Sequence, residues 1–362
     1  MPIKNYISDK EFLQQYLNIV ELQQGKQRLL LSPDLQGRVL TSTASGGKGH
    51  SFGWLNYDLI SSGKHLPHCN NWGGEDRFWL GPEGGQFSLF FKQGTHFAFE
   101  DWQTPALIDT EAWQLTGQSQ TTATFSKETT VENCSGTLLS CRLERTVILE
   151  EKKHTLPEAI ESISFRTENR LTNTGNFEWT PTTGMPSIWM LGQFIPSENN
   201  TIIIPYRPSD KAAINDRYFG KIADDRLIDT GKVLLFKADG KKRGKIGIPP
   251  EMVLPLAGAY DASNHILTII EFSIPDQPKV YVNSMWEYQQ APFRGDVMNA
   301  YNNGPLEDGS IMGPFYELES SSPAAALKPG ETLTHIHSTR HYTGSPEALD
   351  DIAKKYLNYS IL

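Results

Sequence analysis

The stretch at residues 162–180 reads SISFRTENRLTNTGNFEWT. From 162 to 171, apolar and β-branched residues alternate with polar ones, which predicts a half-buried β-strand. Residues 172–176 have the composition of a turn, and residues 177–180 are predicted to pair with the first strand as a hairpin. This arrangement indicates an antiparallel sheet.

The same pattern extends in both directions along the chain. Short β-branched or alternating runs, separated by Gly and Pro, predict further strands. They lie at residues 19–22, 28–31, 36–43, 87–92, 121–126, 201–205, 233–237, 265–273 and 332–340, with a long strand within 136–149. Strands of this number and length are typical of an all-β protein.

Helices are predicted only near the two ends. Residues 8–18 combine a capping box, Ser8 with Glu11, with apolar residues at helical spacing. Residues 345–357 begin with Ser345 as N-cap and Pro346 at the first helical position. The strands between them predict two large packed antiparallel sheets. No linker, composition shift or repeat divides residues 1–362, so we expect one domain.

A cluster of glycines, aromatics and charges lies at residues 70–86. Glycine lets a backbone approach a ligand closely, and indole rings offer flat apolar faces. Carboxylates with an arginine can hydrogen-bond hydroxyl groups. The cluster therefore indicates a sugar site, although a tight turn with a surface ion pair is the alternative. Its candidate substrate-binding residues are Asn71, Glu75, Asp76, Arg77, Trp79 and Glu83.

Composition disfavours several kinds of partner. The net charge of −9 and the pI near 5.5 argue against nucleic acid. The one basic run, at residues 241–245, predicts a solvated hairpin turn. No run of about 18 apolar residues predicts a membrane span. The first residues lack the apolar core of a secretory signal, so we expect a cytoplasmic protein; a periplasmic one would require a signal that had been removed.

Three motifs resemble the galactose mutarotase-like superfamily. Residues 36–42 (QGRVLTS) resemble its opening strand pair, and residues 169–175 (NRLTNTG) its central N-x-L-T-N strand and turn. Residues 316–320 (YELES), with 327–332 (LKPGET) and His335, resemble its closing pattern. The resemblance implies a large antiparallel β-supersandwich and an aldose 1-epimerase-like isomerase. Residues 73–86 differ from the standard epimerase motif and resemble an uncharacterised branch.

The resemblance also implies a mechanism. Anomer interconversion needs a base at the anomeric hydroxyl and an acid at the ring oxygen. The closing-strand glutamate that serves as base corresponds to Glu319, and the histidine that serves as acid corresponds to Thr174. Threonine cannot act as a general acid near neutral pH. Candidate replacements are His96, His65, His68, Glu75, Asp76 and Glu317.

Glu317 and Glu319 are predicted to share one strand face, because side chains alternate along a strand. Adjacent carboxylates raise the pKa of one of them and can form an acid and base pair. The alternative is that one of them faces solvent. We take Glu319, Glu317 and His96 as the candidate catalytic residues.

A second polar cluster occupies residues 286–288 and 293–305. Its length predicts a loop, and its aromatic content is typical of an ordered one. We expect it to complete a sugar cleft opposite residues 70–86. Its candidate substrate-binding residues are Trp286, Arg294, Asp296 and Asn302.

No cofactor or metal is expected. His335 and His337 share a strand face with His341 nearby, but a histidine run without Asp or Cys beside it is more typical of packing than of a metal site. The chain has no Gly-x-Ser-x-Gly motif. Its three cysteines give no disulfide framework.

Two functions from different classes remain open. The first is an enzyme that acts on a sugar or oligosaccharide by acid–base chemistry with Glu319 as base, either as an aldose 1-epimerase or by lyase-type proton abstraction. The second is a carbohydrate-binding protein without turnover, which Thr174 at the histidine position would allow.

Overall fold

The computed structural model describes residues 5–151, 157, 159–277, 279–306 and 309–362. Its strands are β1 (Val20–Gln24), β2 (Gln27–Ser32), β3 (Arg38–Thr43), β4 (Arg77–Gly81), β5 (Gln114–Gln118), β6 (Thr122–Glu132), β7 (Leu138–Leu149), β8 (Glu161–Asn173), β9 (Ser187–Phe194), β10 (Asn200–Pro205), β11 (Leu227–Asp229), β12 (Val233–Lys237), β13 (Gly244–Ile248), β14 (Leu256–Asp261), β15 (Ile266–Phe272), β16 (Met298–Asn302), β17 (Tyr316–Ser321) and β18 (Thr332–Thr343). Its helices are α1 (Tyr6–Leu13), α2 (Tyr57–Ser62), α3 (Ala106–Asp109) and α4 (Pro346–Leu357).

The strands form three antiparallel sheets. The largest has ten strands in the order β11-β12-β10-β14-β15-β18-β8-β7-β6-β5. A five-stranded sheet has the order β13-β16-β17-β9-β4, and β1-β2-β3 form the third. One core cluster joins Leu143 and Phe165 of the large sheet to Trp189 and Met190 of the five-stranded sheet. The predicted all-β sandwich is confirmed.

Strand β8 lies inside the ten-stranded sheet, between β7 and β18. The predicted hairpin partner at residues 177–180 is wrong, because both edges of β8 are already paired. The Asn173 side chain turns the chain away by donating to the carbonyls of Phe177 and Leu327, each at 2.9 Å. The Trp179 N–H then donates to the Leu327 carbonyl at 2.9 Å, which leaves its indole in the core.

Two further local predictions need correction. The apolar run 87–92 is not a strand, because the Ser88 hydroxyl accepts from the Phe90 and Phe91 N–H groups at 3.0 and 3.2 Å and forms a buried turn. Helix α1 starts before Ser8, since Asn5 is its N-cap and accepts from the Ser8 N–H at 3.0 Å. Helix α4 begins with Ser345 as N-cap, as the sequence predicts.

Buried polar side chains lie between the two larger sheets. The Ser320 hydroxyl is 2.8 Å from a ring nitrogen of both His335 and His337. Burial lowers the pKa of each histidine to about 3, helped by His337 beside His335 and by Arg145 beside His337. Both rings are therefore neutral near pH 7, and their hydrogen bonds fix the packing of β17 on β18.

The described residues contain neither a metal-binding cluster nor a membrane-spanning helix. No group of three or more His, Cys, Asp or Glu side chains in these ranges is placed to hold a metal ion. No helix in the described part of the chain has both the length and the apolar character needed to cross a membrane.

Candidate functional site

The candidate site lies on one face of the five-stranded sheet, and the strand register explains which side chains meet there. Arg77 of β4 aligns with Leu191 of β9, which aligns in turn with Glu319 of β17. Two residues along, Trp79 aligns with Trp189. Because side chains two apart on a strand share a face, residues distant in sequence converge here.

A cavity of about 300 Å³ opens on this face. Its aromatic lining consists of Trp79, Phe99, Trp102, Trp189, Phe219, Trp286, Tyr301 and Phe315. Its polar lining consists of Asn56, Asn71, Arg77, Glu83, Gln193, Arg243, Lys245 and Glu317. Flat apolar rings beside a few fixed polar groups suit a ligand with apolar faces and hydroxyl edges.

Glu317 is the centre of a hydrogen-bonded group in this cavity. Its Oε1 accepts from Arg77 Nη2 at 2.5 Å and from Gln193 Nε2 at 2.9 Å. Gln193 also donates to Asn71 Oδ1 at 2.7 Å. Burial raises the pKa of Glu317, and the positive charge of Arg77 opposes that rise. The carboxylate is thus held in a fixed orientation.

Glu319 lies beneath the cavity and has no exposed surface. Its Oε2 accepts from Trp189 Nε1 at 2.8 Å and from Lys245 Nζ at 3.0 Å. Burial alone would lower the pKa of Lys245, but the carboxylates of Glu319 and Glu83 outweigh it and the pKa is raised. Lys245 therefore stays charged beside Glu319.

Glu83 differs from the other two carboxylates. It follows β4, lines the cavity, and lies within 4 Å of no cationic nitrogen in the described ranges. Burial raises the pKa of Glu83 to about 7, with Lys245 opposing and Glu319 reinforcing the shift. One cavity thus contains a carboxyl group that is partly protonated at neutral pH beside two carboxylates that are paired with cations.

Several lining side chains also carry buried polar atoms that have no hydrogen-bond partner among the described residues. They are the indole nitrogens of Trp79 and Trp102, Nε of Arg77 and Oε1 of Gln193. Beneath the cavity, Oε1 of Glu319 is in the same state. Buried polar groups without partners cost free energy, and a hydroxyl-rich ligand can supply both donors and acceptors to such groups.

Comparison with known proteins identifies the family. A model described as a family of unknown function, DUF6786, matches residues 4–362. The chain belongs to DUF6786. No curated protein matches it.

Solved structures resemble this DUF6786 member over most of its length. A protein from Escherichia coli K12 provisionally described as an aldose 1-epimerase is 13% identical, with 90% of this chain and 99% of that chain covered and a TM-score of 0.53. Galactose mutarotase-like proteins from Lactobacillus casei and Clostridium acetobutylicum are 9% and 12% identical, with TM-scores of 0.51 for both. They cover 90% and 91% of this chain and 100% of their own chains. The fold is galactose mutarotase-like, as the sequence motifs imply.

The structure brings together part of the predicted site. Of the residues predicted from sequence, those that line the cavity are Asn71, Arg77, Trp79, Glu83, Trp286 and Glu317. Glu317 and Glu319 lie on one face of β17, as alternation predicts. Their separate roles in catalysis remain a prediction.

Two carboxylates of the glycine-rich cluster lie elsewhere. Asp76 is fully buried between the sheets and pairs with Arg145. Glu75 accepts from Ser42 Oγ at 2.8 Å, and its Oε2 is 2.9 Å from a ring nitrogen of His341. Both carboxylates are occupied by protein partners away from the cavity lining, so the structure places them in the packing rather than in the cleft.

Other candidates are also separated from the cavity lining. His96 and Arg294 are exposed, and Thr174 is exposed at the end of β8. Asn302 binds the chain itself, accepting from the Gly240 N–H at 2.9 Å and donating to the Lys242 carbonyl at 2.7 Å. These contacts hold the Asn302 side chain outside the cavity lining.

Asp296, His65 and His68 contact other groups of the protein instead. Asp296 accepts from Tyr218 Oη at 2.6 Å in a small chamber of about 10 Å³ behind Lys245. His68 Nδ1 is 2.6 Å from the Trp102 carbonyl. His65 packs its ring edge against Trp72, with centroids 5.9 Å apart. None of these side chains contributes to the cavity lining.

Sequence reasoning missed several lining residues. Lys245 lies in the basic run predicted to be a solvated turn, yet it is buried in β13. Ile246 and Ile248, which are two residues apart, are the signal that could have indicated this strand. The other missed polar and aromatic residues are Asn56, Phe99, Trp102, Trp189, Gln193, Phe219, Arg243 and Phe315, whereas Tyr301 lies in the cluster at residues 293–305 that was expected to complete the cleft.

Proposed function

We propose that this protein is a carbohydrate-active enzyme that binds a sugar ring in the cavity and interconverts its anomers by general acid–base catalysis. The observation that carries the proposal is the unequal state of three carboxyl groups at one aromatic cavity. Glu83 has no cationic partner among the described residues and a pKa of about 7, whereas Glu317 and Glu319 are paired with Arg77 and Lys245. The mutarotase-like descriptions of the structural relatives support the same substrate class.

Glu83 supplies the acid in this scheme. A carboxyl group with a pKa near the working pH can hold a proton and still release it in the transition state. When the hemiacetal opens, the Glu83 proton passes to the ring oxygen as the bond from that oxygen to the anomeric carbon breaks. Glu83 thus acts as the general acid, which is the role that the superfamily motif assigns to the position of Thr174.

Glu317 supplies the base, because it lines the cavity directly. It removes the proton of the anomeric hydroxyl, so that a carbonyl forms at that carbon. Its Oε1 accepts from Arg77 and Gln193, and no described residue donates to its Oε2. Glu319, the base that the sequence motif indicates, has no exposed surface and does not line the cavity; its ion pair with Lys245 holds that cation in the lining.

Exchange spectroscopy by NMR tests the proposal. With a panel of free aldoses, we expect the protein to accelerate exchange between α and β anomers of at least one sugar above the rate in buffer. The reason is that an acid and a base held beside one bound sugar act together on it. Exchange at the buffer rate for every sugar that binds would contradict catalysis.

A binding protein without turnover is the second candidate. The exposed Thr174 at the position of the superfamily's acid favours it. The same experiment separates the two functions, because a binding protein broadens or shifts the sugar signals and leaves the exchange rate unchanged.

A further inference from the structure

The three cations that line the cavity differ in their partners. Arg77 forms an ion pair with Glu317, and Lys245 forms one with Glu319. Arg243 has no carboxylate oxygen within 4 Å in the ranges that the structure describes. Arg243 is therefore the cation of this lining whose charge no described carboxylate neutralises.

Arg243 is nevertheless held in place. Its guanidinium carbon lies 3.7 Å from the centre of the Phe219 ring. Its Nε donates to Tyr301 Oη at 3.1 Å, and Tyr301 Oη donates to Asn303 Oδ1 at 2.7 Å. Among the described residues this leaves the two terminal nitrogens of the guanidinium without a hydrogen bond. A positioned guanidinium with both terminal nitrogens available has the geometry that binds a planar or tetrahedral oxyanion.

The cavity also differs in charge from the rest of the chain. The chain carries a net charge of −9, yet three cations line this cavity with two carboxylates, Glu83 and Glu317, and a third, Glu319, lies beneath it. The pKa of Glu83 is raised to about 7, chiefly by burial, so its carboxyl group is partly neutral at pH 7. The balance is therefore positive, which favours an anionic ligand.

We propose that the substrate is a sugar that carries an anionic group, a carboxylate or a phosphate, and that Arg243 binds this group at the cavity opening. Arg243 is exposed and its stacking partner Phe219 is 43% exposed, so both lie where the cavity meets solvent. The ring would then lie deeper, between the aromatic walls and the three carboxyl groups. This inference rests on the proposed function, because it assigns the substrate class of the same cavity.

Calorimetric titration at pH 7 and low salt tests the inference with three probes: D-glucose, D-glucuronate and D-glucose 6-phosphate. We expect at least one of the anionic sugars to bind about ten- to a hundredfold more tightly than glucose, the range given by one charge-assisted contact. Which of the two binds more tightly tells whether the group is a carboxylate or a phosphate, and either result supports the inference.

Variants at Lys242 and Arg243 test whether the preference for an anionic sugar depends on Arg243. Arg243→Gln should abolish the preference for the anionic sugar. Arg243→Lys keeps the positive charge but lacks the two terminal nitrogens of the guanidinium, so it should retain part of the preference. Lys242→Gln is the matched control, because it removes the same charge from an exposed residue that does not line the cavity. Unliganded melting temperatures establish that each variant is folded.

The possible failures are distinguishable. Equal binding of all three sugars by the wild type, or a preference that Arg243→Gln retains, overturns this inference and leaves the proposed function standing. Absence of binding by all three sugars, together with anomer exchange at the buffer rate across the aldose panel, overturns both.

Discussion

Replacing Glu83 with glutamine should slow anomer exchange by about 10²- to 10⁴-fold, the contribution of one general acid or base, while sugar binding is retained. Glutamine has nearly the same shape and can still hydrogen-bond the substrate, but it cannot release a proton. NMR exchange rates at saturating sugar measure the first effect, and titration measures the second.

The pH profile makes this prediction specific to proton transfer. Burial raises the pKa of Glu83 to about 7, so its acid form predominates below pH 7 and is lost above it. The wild-type exchange rate should therefore fall as the pH rises through about 7, and Glu83→Gln should lack this limb. Glu287→Gln is the matched control, since Glu287 is exposed and does not line the cavity. A wild-type rate and profile in Glu83→Gln would contradict the assignment.

Replacing Asp76 with alanine should lower the free energy of unfolding by about 3–5 kcal/mol, as expected when one partner of a buried ion pair is removed. Asp76 accepts from Arg145 and from Thr167 Oγ1, and the side chains of Asp76 and Arg145 are both 0% exposed. The variant leaves the guanidinium charged and unpaired between the sheets. Urea unfolding followed by circular dichroism measures the change.

A surface ion pair provides the control for this stability effect. Glu128 lies 3.7 Å from Arg142, and its side chain is 72% exposed. Glu128→Ala should therefore cost no more than about 1 kcal/mol. If Asp76→Ala kept its stability and instead lost sugar binding, Asp76 would belong to the binding site, as the sequence cluster suggests.

Strands marked by alternation or by β-branched residues were predictable from sequence, and β3 is among them although it is buried along its whole length. β8 and β18 alternate and were located within a few residues. β4 is buried along its whole length, so alternation does not reveal it. Residues 87–92 have the composition of a strand, but the hydrogen bonds of the Ser88 hydroxyl stabilise a turn there instead.

The residues of the candidate site were also only partly predictable from sequence patterns. Glycine-rich composition and motif resemblance pointed to residues near the cavity, such as Arg77, Glu83 and Glu317. They could not tell which of Asp76 and Arg77 faces the cavity, because that follows from the register of β4 on β9. Lys245 was missed because its burial follows from tertiary contacts, namely the pairing of β13 with β16 and the ion pair with Glu319 of β17.

A crystal structure with a monosaccharide bound tests the central claim most directly. The account predicts a sugar ring inside the cavity, with one apolar face against Trp79 or Trp286 and with its ring oxygen within hydrogen-bond distance of the Glu83 carboxyl group. A sugar bound at another surface, or one in the cavity that makes no contact with Glu83, would contradict it.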